Sequence, residues 1–174
     1  RQAQPAASGY DIVTQARGGL WRLENKTAGL PTPHKLPDAG ADYLLAHLHI
    51  FQCEQSAPTG KTISAVETWF AADAGKEKNY MAAQEQLVGT LSQTRIDDEI
   101  YAAVGRARRS FEDSPEYPPE LRAISRLSGC DLSWSFKTSG AGGRDAVLVF
   151  AKASDLPRIE GCLLYTSPSP RDGI

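Results

Sequence analysis

A glycine-rich stretch, residues 139–145, constrains the fold of this chain more than any other segment. Three of the four residues 140–143 are glycine, and they stand between two segments of strand character. Before them Trp134 and Phe136 alternate with polar residues, and after them residues 146–151 form an apolar run. Both patterns predict β-strands, and the alternation predicts that the first strand is half-buried. Such a turn either lets backbone N–H groups approach an anion such as phosphate or simply closes a hairpin, and the spacing alone favours neither.

The run from Lys137 to Asp145, Lys-Thr-Ser-Gly-Ala-Gly-Gly-Arg-Asp, resembles the third signature motif of the GHMP small-molecule kinases. Its closest form is that of phosphomevalonate kinases, Lys-Pro-Ser-Gly-Ala-Gly-Gly-Gly-Asp. Thr138 replaces the proline and Arg144 the third glycine, which leaves the substrate open, although a cation beside a phosphate is not unfavourable. The resemblance implies a catalytic role for Lys137. It also implies phosphate or substrate binding by Ser139, Gly140, Ala141, Gly142, Gly143, Arg144 and Asp145.

A second segment, Ser8-Gly9-Tyr10-Asp11 followed by a Gly-Gly pair, resembles the part of mevalonate and phosphomevalonate kinases that carries the active-site aspartate. By this resemblance Asp11 is catalytic: it orients or deprotonates the acceptor hydroxyl, or it holds a neighbouring lysine. Ser8 and Gly9 would contribute to phosphate or substrate binding. A carboxylate beside a hydroxyl nucleophile is what phosphoryl transfer requires besides charge stabilisation. Without the resemblance, an Asx-turn or a helix N-cap is the better interpretation of Asp11.

Composition bounds the class of protein. The 174 residues suffice for one ordinary domain, and a net charge of −2 argues against a nucleic-acid-binding surface. No apolar run approaches the ~20 residues needed to cross a membrane. Cys53 and Cys130 stand far apart in no ligand-like spacing, as expected of reduced, buried thiols in a cytoplasmic protein.

Both ends of the sequence suggest that it is a piece cut from a longer natural sequence. It opens at Arg1 rather than Met, so we expect it to begin inside a longer protein. Residues 162–174 resemble the translated adapter of a transposon-based sequencing library, and we interpret them as a non-native tail. A natural Ser/Pro-rich disordered tail is the alternative. The nucleotide loop of the GHMP kinases, a Pro-x-x-x-Gly-Leu-Gly-Ser-Ser type run, does not occur in the sequence, and we expect it upstream of Arg1.

Between the two motifs, residues 25–40 are rich in proline and glycine and predict a surface connection. Residues 44–53 predict a strand that places His47 and His49 on one face. Ordinary histidines are the main interpretation there and a metal pair the alternative, since no third ligand follows closely. Gly60-Lys61-Thr62 matches the end of a P-loop, but the required first glycine is absent, so we reject that motif.

Residues 59–62 also contain residue types that are typical of the start of a helix. Thr59 or Thr62 suits a helix N-cap, and Lys61 could instead meet a substrate anion. Four apolar stripes at helical spacing follow: Ile63, Val66, Trp69, Phe70; Tyr80, Ala83, Leu87, Leu91; Ile96, Ile100, Val104, Ala107, Phe111; and Leu121, Ile124, Leu127. A Pro-Pro pair at 118–119 marks the start of the last helix. The basic residues Arg106, Arg108 and Arg109 predict a solvated face, with a grip on substrate phosphate as the alternative.

The order strand, helices, strand, glycine loop, strand predicts an α+β fold of antiparallel strands backed by segregated helices. The resemblance implies the C-terminal half of the GHMP kinase fold, a ferredoxin-like antiparallel sheet covered by helices, whose last helix starts near residues 155–157. Residues 1–40 would be a remnant of the N-terminal catalytic (ribosomal S5-like) domain with a linker. Residues 41–161 would be the truncated C-terminal domain, and residues 162–174 the tail.

The resemblance implies an ATP-dependent kinase of isoprenoid precursors with ATP and Mg²⁺ as cofactors. Phosphomevalonate kinase is the first choice; mevalonate kinase or another GHMP sugar or alcohol kinase is the second. The partner is then a small alcohol or phosphorylated alcohol in the cytoplasm. A homodimer is compatible with it, and neither nucleic acid nor a membrane is expected. Because the nucleotide loop is missing, the 174 residues alone are expected to be inactive.

Two rival functions follow from the same motifs. Diphosphomevalonate decarboxylases share the fold, but they lack the Lys-x-Ser-Gly-Ala-Gly-Gly form found at residues 137–143. A non-catalytic paralogue that binds a metabolite is the other rival. Asp11 argues against it, because a binding module needs no base.

Overall fold

The computed structural model describes residues 19–24, 32–52, 59–119, 121–122, 124, 133–139 and 146–160. In these residues the chain is α+β with antiparallel sheets, as the element order predicted. The strands are β1 (Trp21–Glu24), β2 (Thr32–Lys35), β3 (Leu48–Gln52), β4 (Trp134–Thr138) and β5 (Ala146–Ala151). The helices are α1 (Asp38–His47), α2 (Thr59–Ala71), α3 (Ala74–Leu91) and α4 (Glu99–Arg109). Further helical residues lie between 119 and 124 and at 156–160, the latter after a 3-10 turn at Ala153–Asp155.

The larger sheet has the order β3-β5-β4, with both neighbouring pairs antiparallel. Its cross-strand partners divide the residues between two faces, because side chains alternate along each strand. The face that we call the Phe136 face carries Trp134, Phe136, Val147, Val149 and Ala151. The opposite face, which we call the α4 face, carries Leu48, Ser135, Lys137, Leu148 and Phe150.

Each face of this sheet is covered by its own hydrophobic cluster. On the Phe136 face the strand residues pack with Phe111, Tyr117, Leu121, Ile124 and Ile159, and Val66 and Trp69 of α2 lie against them. On the α4 face, Phe150 packs with Leu87, Ile100, Tyr101, Ala103, Val104 and Ala107. Burial on both faces explains why Ser135, between two aromatic residues of β4, is only 5% exposed. The alternation in β4 predicted a half-buried strand, and this part of the prediction is wrong.

The region from residue 25 to residue 53 differs most from the prediction. The expected surface connection contains β2, which pairs antiparallel with β1, and the first turn of α1, where Gly40 is buried. The expected strand over 44–53 begins only at Leu48, because residues up to His47 continue α1. The helix brings Tyr43 and His47, four residues apart, into ring stacking at 4.2 Å. Residues 40 and 41, between which the domain boundary was expected, both belong to this helix, and the division into domains stays a prediction.

The helical stripes are confirmed with shifted ends. Apart from Leu127, which lies outside the described residues, the first, second and fourth stripes lie on helical segments. The third stripe is divided: α4 begins after Ile96 and ends before Phe111, and Phe111 belongs to the cluster on the Phe136 face. Asp73 caps α3 by accepting a 2.9 Å hydrogen bond from the Gly75 backbone N–H. None of the described helices has both the length and the apolarity needed to span a bilayer.

Candidate functional site

The glycine-rich run connects two paired strands. Lys137 lies opposite Leu148 and Thr138 opposite Val147. One step further, the Ser139 backbone N–H donates a 3.0 Å hydrogen bond to the Ala146 carbonyl. The predicted hairpin of β4 and β5 is therefore confirmed. Residues 140–145, which connect the strands, lie outside the described residues, so the phosphate cradle and the plain turn both stay predictions.

Of the two predicted catalytic residues, Asp11 and Lys137, the structure describes Lys137. Its side chain is on the α4 face at the loop end of β4, where it is mostly buried. The ammonium group donates a 2.8 Å hydrogen bond to the Thr138 carbonyl. Burial lowers the pKa of the Lys137 amine, because removing water penalises the charged form. Its burial and lowered pKa make Lys137 a candidate functional residue.

Arg108 is the neighbouring cation that the sequence analysis assigned to a solvated face. That expectation is wrong for Arg108, which is only 4% exposed. Its Nε lies 2.8 Å from Oε1 of Glu112, and its guanidinium lies over the Phe136 ring at 4.6 Å. The expectation holds better for the other two arginines: Arg109 is exposed, and Arg106 donates a 2.7 Å hydrogen bond to the Gln86 side chain at the surface.

The last turns of α4 pass close to the outer edge of β4. A Cβ at Gly105 would meet Oγ of Ser135 at 3.4 Å, so the helix backbone approaches the α4 face closely at this point. Three residues later Arg108 reaches past the edge to the ring of Phe136 on the opposite face. Gly105 therefore permits a close approach of α4 to β4, and this approach lets Arg108 contact Phe136 on the strand as well as Glu112 after the helix.

A small cavity lies between these cations and the neighbouring helices. Its volume is about 10 Å³, close to the least that a water molecule requires. Among the described residues, those that contribute polar groups to its lining are Tyr80, Gln84, Arg108, Tyr117, Lys137 and Thr138. Burial raises the pKa of the Tyr80 hydroxyl, so this group stays protonated and can donate a hydrogen bond. None of the described residues that line the cavity is acidic.

The structure thus describes few of the predicted site residues. Lys137 and Ser139 are two residues apart at the end of β4, on either side of Thr138. Ser8, Gly9, Asp11 and residues 140–145 lie outside the described residues, so the roles expected of them stay predictions. Cys53 and Cys130 also lie outside them.

The ion pair of Arg108 and Glu112 was not predicted, although the residue spacing in the sequence indicates it. Val104, Arg108 and Glu112 are spaced by four, so the charged pair continues a buried helical stripe. When a cation and an anion continue a buried apolar stripe along a helix, they indicate a buried ion pair and not a solvent-exposed run of charges. The charge pattern alone could not reveal this.

The remaining expectations concern the histidines and the start of α2. His47 ends α1 and contacts the Tyr43 carbonyl through Nδ1, whereas His49 is in β3 and contacts the Ala151 carbonyl through Nε2. The prediction that they share one strand face is therefore wrong. Thr62 lies inside α2 and is only 2% exposed, so it is not the N-cap. Lys61 is exposed in the first turn of α2.

Comparison with known proteins gives no relative: no family model, no curated protein and no solved structure matches this chain. Chemical interpretation therefore rests on the site itself. Two cations next to a hydrogen-bonding cavity can hold negative charge. Within the described residues no three histidine, cysteine, aspartate or glutamate side chains lie together as metal ligands would, so none of them is assigned to Mg²⁺.

Proposed function

We propose that the chain is part of an ATP-dependent GHMP-type kinase that phosphorylates a small alcohol or phosphorylated alcohol, phosphomevalonate being the first candidate. The single observation that carries the proposal is the placement of the Lys137–Asp145 run. In sequence the glycine-rich part connects the two strands of an antiparallel hairpin, and Lys137, which precedes it, lines the same small cavity as the buried Arg108. The α+β architecture with antiparallel strands is compatible with a ferredoxin-like C-terminal domain of these kinases.

The chemistry proposed for these residues is positioning and charge stabilisation. Backbone N–H groups of Ser139 to Gly143 would cradle a phosphate, and Lys137 and Arg144 would offset its negative charge. Asp11 would orient or deprotonate the acceptor hydroxyl. ATP supplies the transferred phosphoryl group when it is bound. The described residues offer no ligand set for Mg²⁺, so no step is derived through the metal.

The direct test is a kinase assay on the complete natural protein. Mevalonate, phosphomevalonate and sugar acceptors are each supplied with ATP and Mg²⁺, and ADP formation is measured. We expect turnover with one acceptor and a loss of at least about 100-fold in the Asp11→Ala and Lys137→Met variants. Lys35→Met, at an exposed ion pair, is the matched control and should keep full activity. Absence of turnover with every acceptor would contradict the proposal.

The non-catalytic paralogue remains the second candidate, and the same material separates it from the kinase. A metabolite-binding module would retain acceptor binding in isothermal titration while showing no ADP formation in either the unchanged protein or the Asp11→Ala variant. A kinase would show turnover that this variant abolishes. The 174-residue chain itself is expected to give no turnover above background.

A further inference from the structure

The two edges of the larger sheet differ in how far they are covered. Strand β4 forms one edge, and four of its five residues are buried. Strand β3 forms the other edge, and none of its five residues is buried. In the part of the chain that the structure describes, β3 pairs with β5 alone. Every second residue of β3 therefore directs its backbone N–H and C=O away from β5, and these are the groups with which a further strand pairs.

Strand β3 lacks the features that normally prevent an edge strand from pairing with another chain. Leu48–Gln52 contains no proline and no Asp, Glu, Lys or Arg, and its register with β5 runs without a bulge. Ile50 at its centre is 67% exposed, and Leu45 on the preceding helix α1 is 86% exposed. Among the described residues the remaining large apolar side chain with such exposure is Met81 on α3. Apolar exposure on an unprotected edge indicates an interaction surface.

The side-chain pattern of β3 is complementary to itself. When two copies of the strand pair antiparallel about their centres, Ile50 lies opposite its own counterpart, His49 opposite Phe51, and Leu48 opposite Gln52. A two-fold axis brings the central residue against itself, so a charge at this position would repel its counterpart. The apolar Ile50 avoids this repulsion, and no other pair places like charges opposite each other.

The same pairing continues both faces of the sheet. Facing side chains of an antiparallel pair lie on one side, so the α4 faces of the two copies join. Ile50 lies opposite Leu148 of β5, which packs against the cluster on the α4 face. An aliphatic row of two leucines and two isoleucines then crosses the joint sheet. On the opposite face Phe51, which packs against the other cluster, comes next to His49 of the second copy.

We propose that the edge of β3 is an interface for a second copy of this chain, and that it joins two three-stranded sheets into one continuous antiparallel sheet. Five residues a side are far fewer than the roughly 20 of a stable interface. The dimer is therefore weak, with a dissociation constant on the order of 100 μM. The inference is independent of the proposed kinase activity, because it uses neither Lys137 nor the glycine-rich run.

The test is sedimentation equilibrium of the complete 174-residue chain from about 10 μM to about 1 mM, with a reductant that keeps its cysteines from cross-linking. We expect the average mass to rise towards that of a dimer. Ile50→Lys places like charges opposite each other and should weaken the association at least about 10-fold. Met81→Lys adds the same charge at a 51% exposed position on α3 and should leave the association unchanged.

Three results would overturn the proposal. The first is an unchanged chain that stays monomeric up to about 1 mM. The second is equal association of the unchanged chain and Ile50→Lys. The third is an equal loss of association in the two lysine variants, which would show an effect of net charge and not of the β3 edge.

A mixing experiment tests the two-fold geometry. Ile50→Glu repels its own counterpart as Ile50→Lys does, whereas an equimolar mixture of the two variants places opposite charges against each other. At low ionic strength we expect the mixture to associate about 10-fold more tightly than either variant alone. If the mixture associates no better than its components, Ile50 does not lie at the axis and the proposal fails.

A measurement without substitutions covers the case in which these variants fail to fold. In amide NMR spectra of the unchanged chain, signals of Leu48–Gln52 should shift as the concentration rises, because their backbone groups enter the new pairing. Signals of β4, the covered edge, should stay in place. Concentration-dependent shifts that leave β3 unaffected would overturn the proposal.

Discussion

The guanidinium of Arg108 is stabilised by partners from two directions. Glu112, one helical turn further along the chain, contacts Nε at 2.8 Å, and the ring of Phe136 lies 4.6 Å from the guanidinium carbon. A cation–π contact is worth about 2 kcal/mol when water is excluded, less than the cost of burying a charge. Of these two partners, the carboxylate is therefore the one that contributes more to offsetting the burial of the charge.

The first prediction concerns Glu112→Gln. The substitution keeps the size of the side chain and removes its charge, so Arg108 loses the ion pair with Glu112 while it stays buried. We expect the free energy of unfolding to fall by about 3 kcal/mol, measured by urea denaturation. Asp38→Asn is the control, because Asp38 pairs with Lys35 at 2.9 Å in an exposed position. This control should cost less than about 1 kcal/mol. Equal losses in the two variants would contradict the buried pair.

The second prediction concerns the pH dependence contributed by Lys137. Burial lowers the pKa of its amine in the folded chain, whereas the unfolded chain has a pKa of about 10.4. Between the two values the unfolded state binds more protons, so the stability contributed by this residue rises with pH. Below the folded pKa both states are charged and the full desolvation cost is present.

The measurement is the urea midpoint of the unchanged chain and of Lys137→Met from pH 7 to about pH 10.5 in chloride-free buffer. We expect the unchanged chain to gain stability relative to the variant as the pH rises. Lys35→Met, whose lysine is exposed, should follow the unchanged chain. Parallel curves for the unchanged chain and Lys137→Met would show that the folded amine has the ordinary pKa.

At the scale of elements, α1 approaches the end of α3 through Gly40. A Cβ at this position would lie 2.5 Å from the Leu91 carbonyl oxygen and 3.1 Å from Cδ2 of Leu20. Because the first of these contacts is with backbone, the neighbour cannot move aside as a flexible side chain would. The glycine is therefore required for the distance between the two helices, and this close approach could not be read from the sequence.

The third prediction compares two glycine substitutions. Gly40→Ala should lower the free energy of unfolding by about 2 kcal/mol, because the methyl group forces the helices apart. Gly89→Ala, in the interior of α3 with nothing within 4 Å of the added Cβ, should instead raise it by up to about 1 kcal/mol, because alanine is the better helix former. Urea denaturation measures both. A neutral Gly40→Ala would mean that the two helices do not meet as described.

The elements that the sequence predicted correctly are those with a clear period or a clear boundary. Helices α2, α3 and α4 have apolar stripes, and the hairpin of β4 and β5 has glycines between two apolar segments. The sequence failed where neither signal exists. Helix α1 passes directly into β3 at His47 and Leu48 with no glycine or proline between them. Strand β2 contains Pro33, which predicted a connection, but its sheet has only two described strands, and an edge strand tolerates proline.

The candidate site, like the fold, was predicted from the sequence only in part. Lys137 was found because it begins a recognisable run, a property of the local sequence. Arg108 was missed because the three arginines were interpreted as a charge run, without the spacing by four that links Arg108 to Glu112. Its other described partner, Phe136, is 28 residues away in the chain and belongs to another element. Hydropathy patterns treat a charged residue as exposed, and only tertiary packing shows that the carboxylate and the ring together offset its burial.

At the scale of the whole molecule, the two hydrophobic clusters cover opposite faces of one sheet. Strand β5 contributes to both: Val147, Val149 and Ala151 face one cluster, and Phe150 faces the other. If one cluster melts, β5 loses the packing on that side, and the register with β3 and β4 loses support. The clusters are therefore expected to unfold together.

The fourth prediction tests this coupling with two matched substitutions. Ile100 belongs to the cluster on the α4 face and Ile159 to the cluster on the Phe136 face, and both are fully buried. Ile→Val at either position should lower the free energy of unfolding by about 1 kcal/mol. Far-UV circular dichroism and tryptophan fluorescence should report the same urea midpoint with an unchanged slope. The double variant should lose about the sum, because the two side chains lie on opposite faces. A variant that shifts the midpoint seen by one probe and not the other would show that the two faces of the sheet unfold independently.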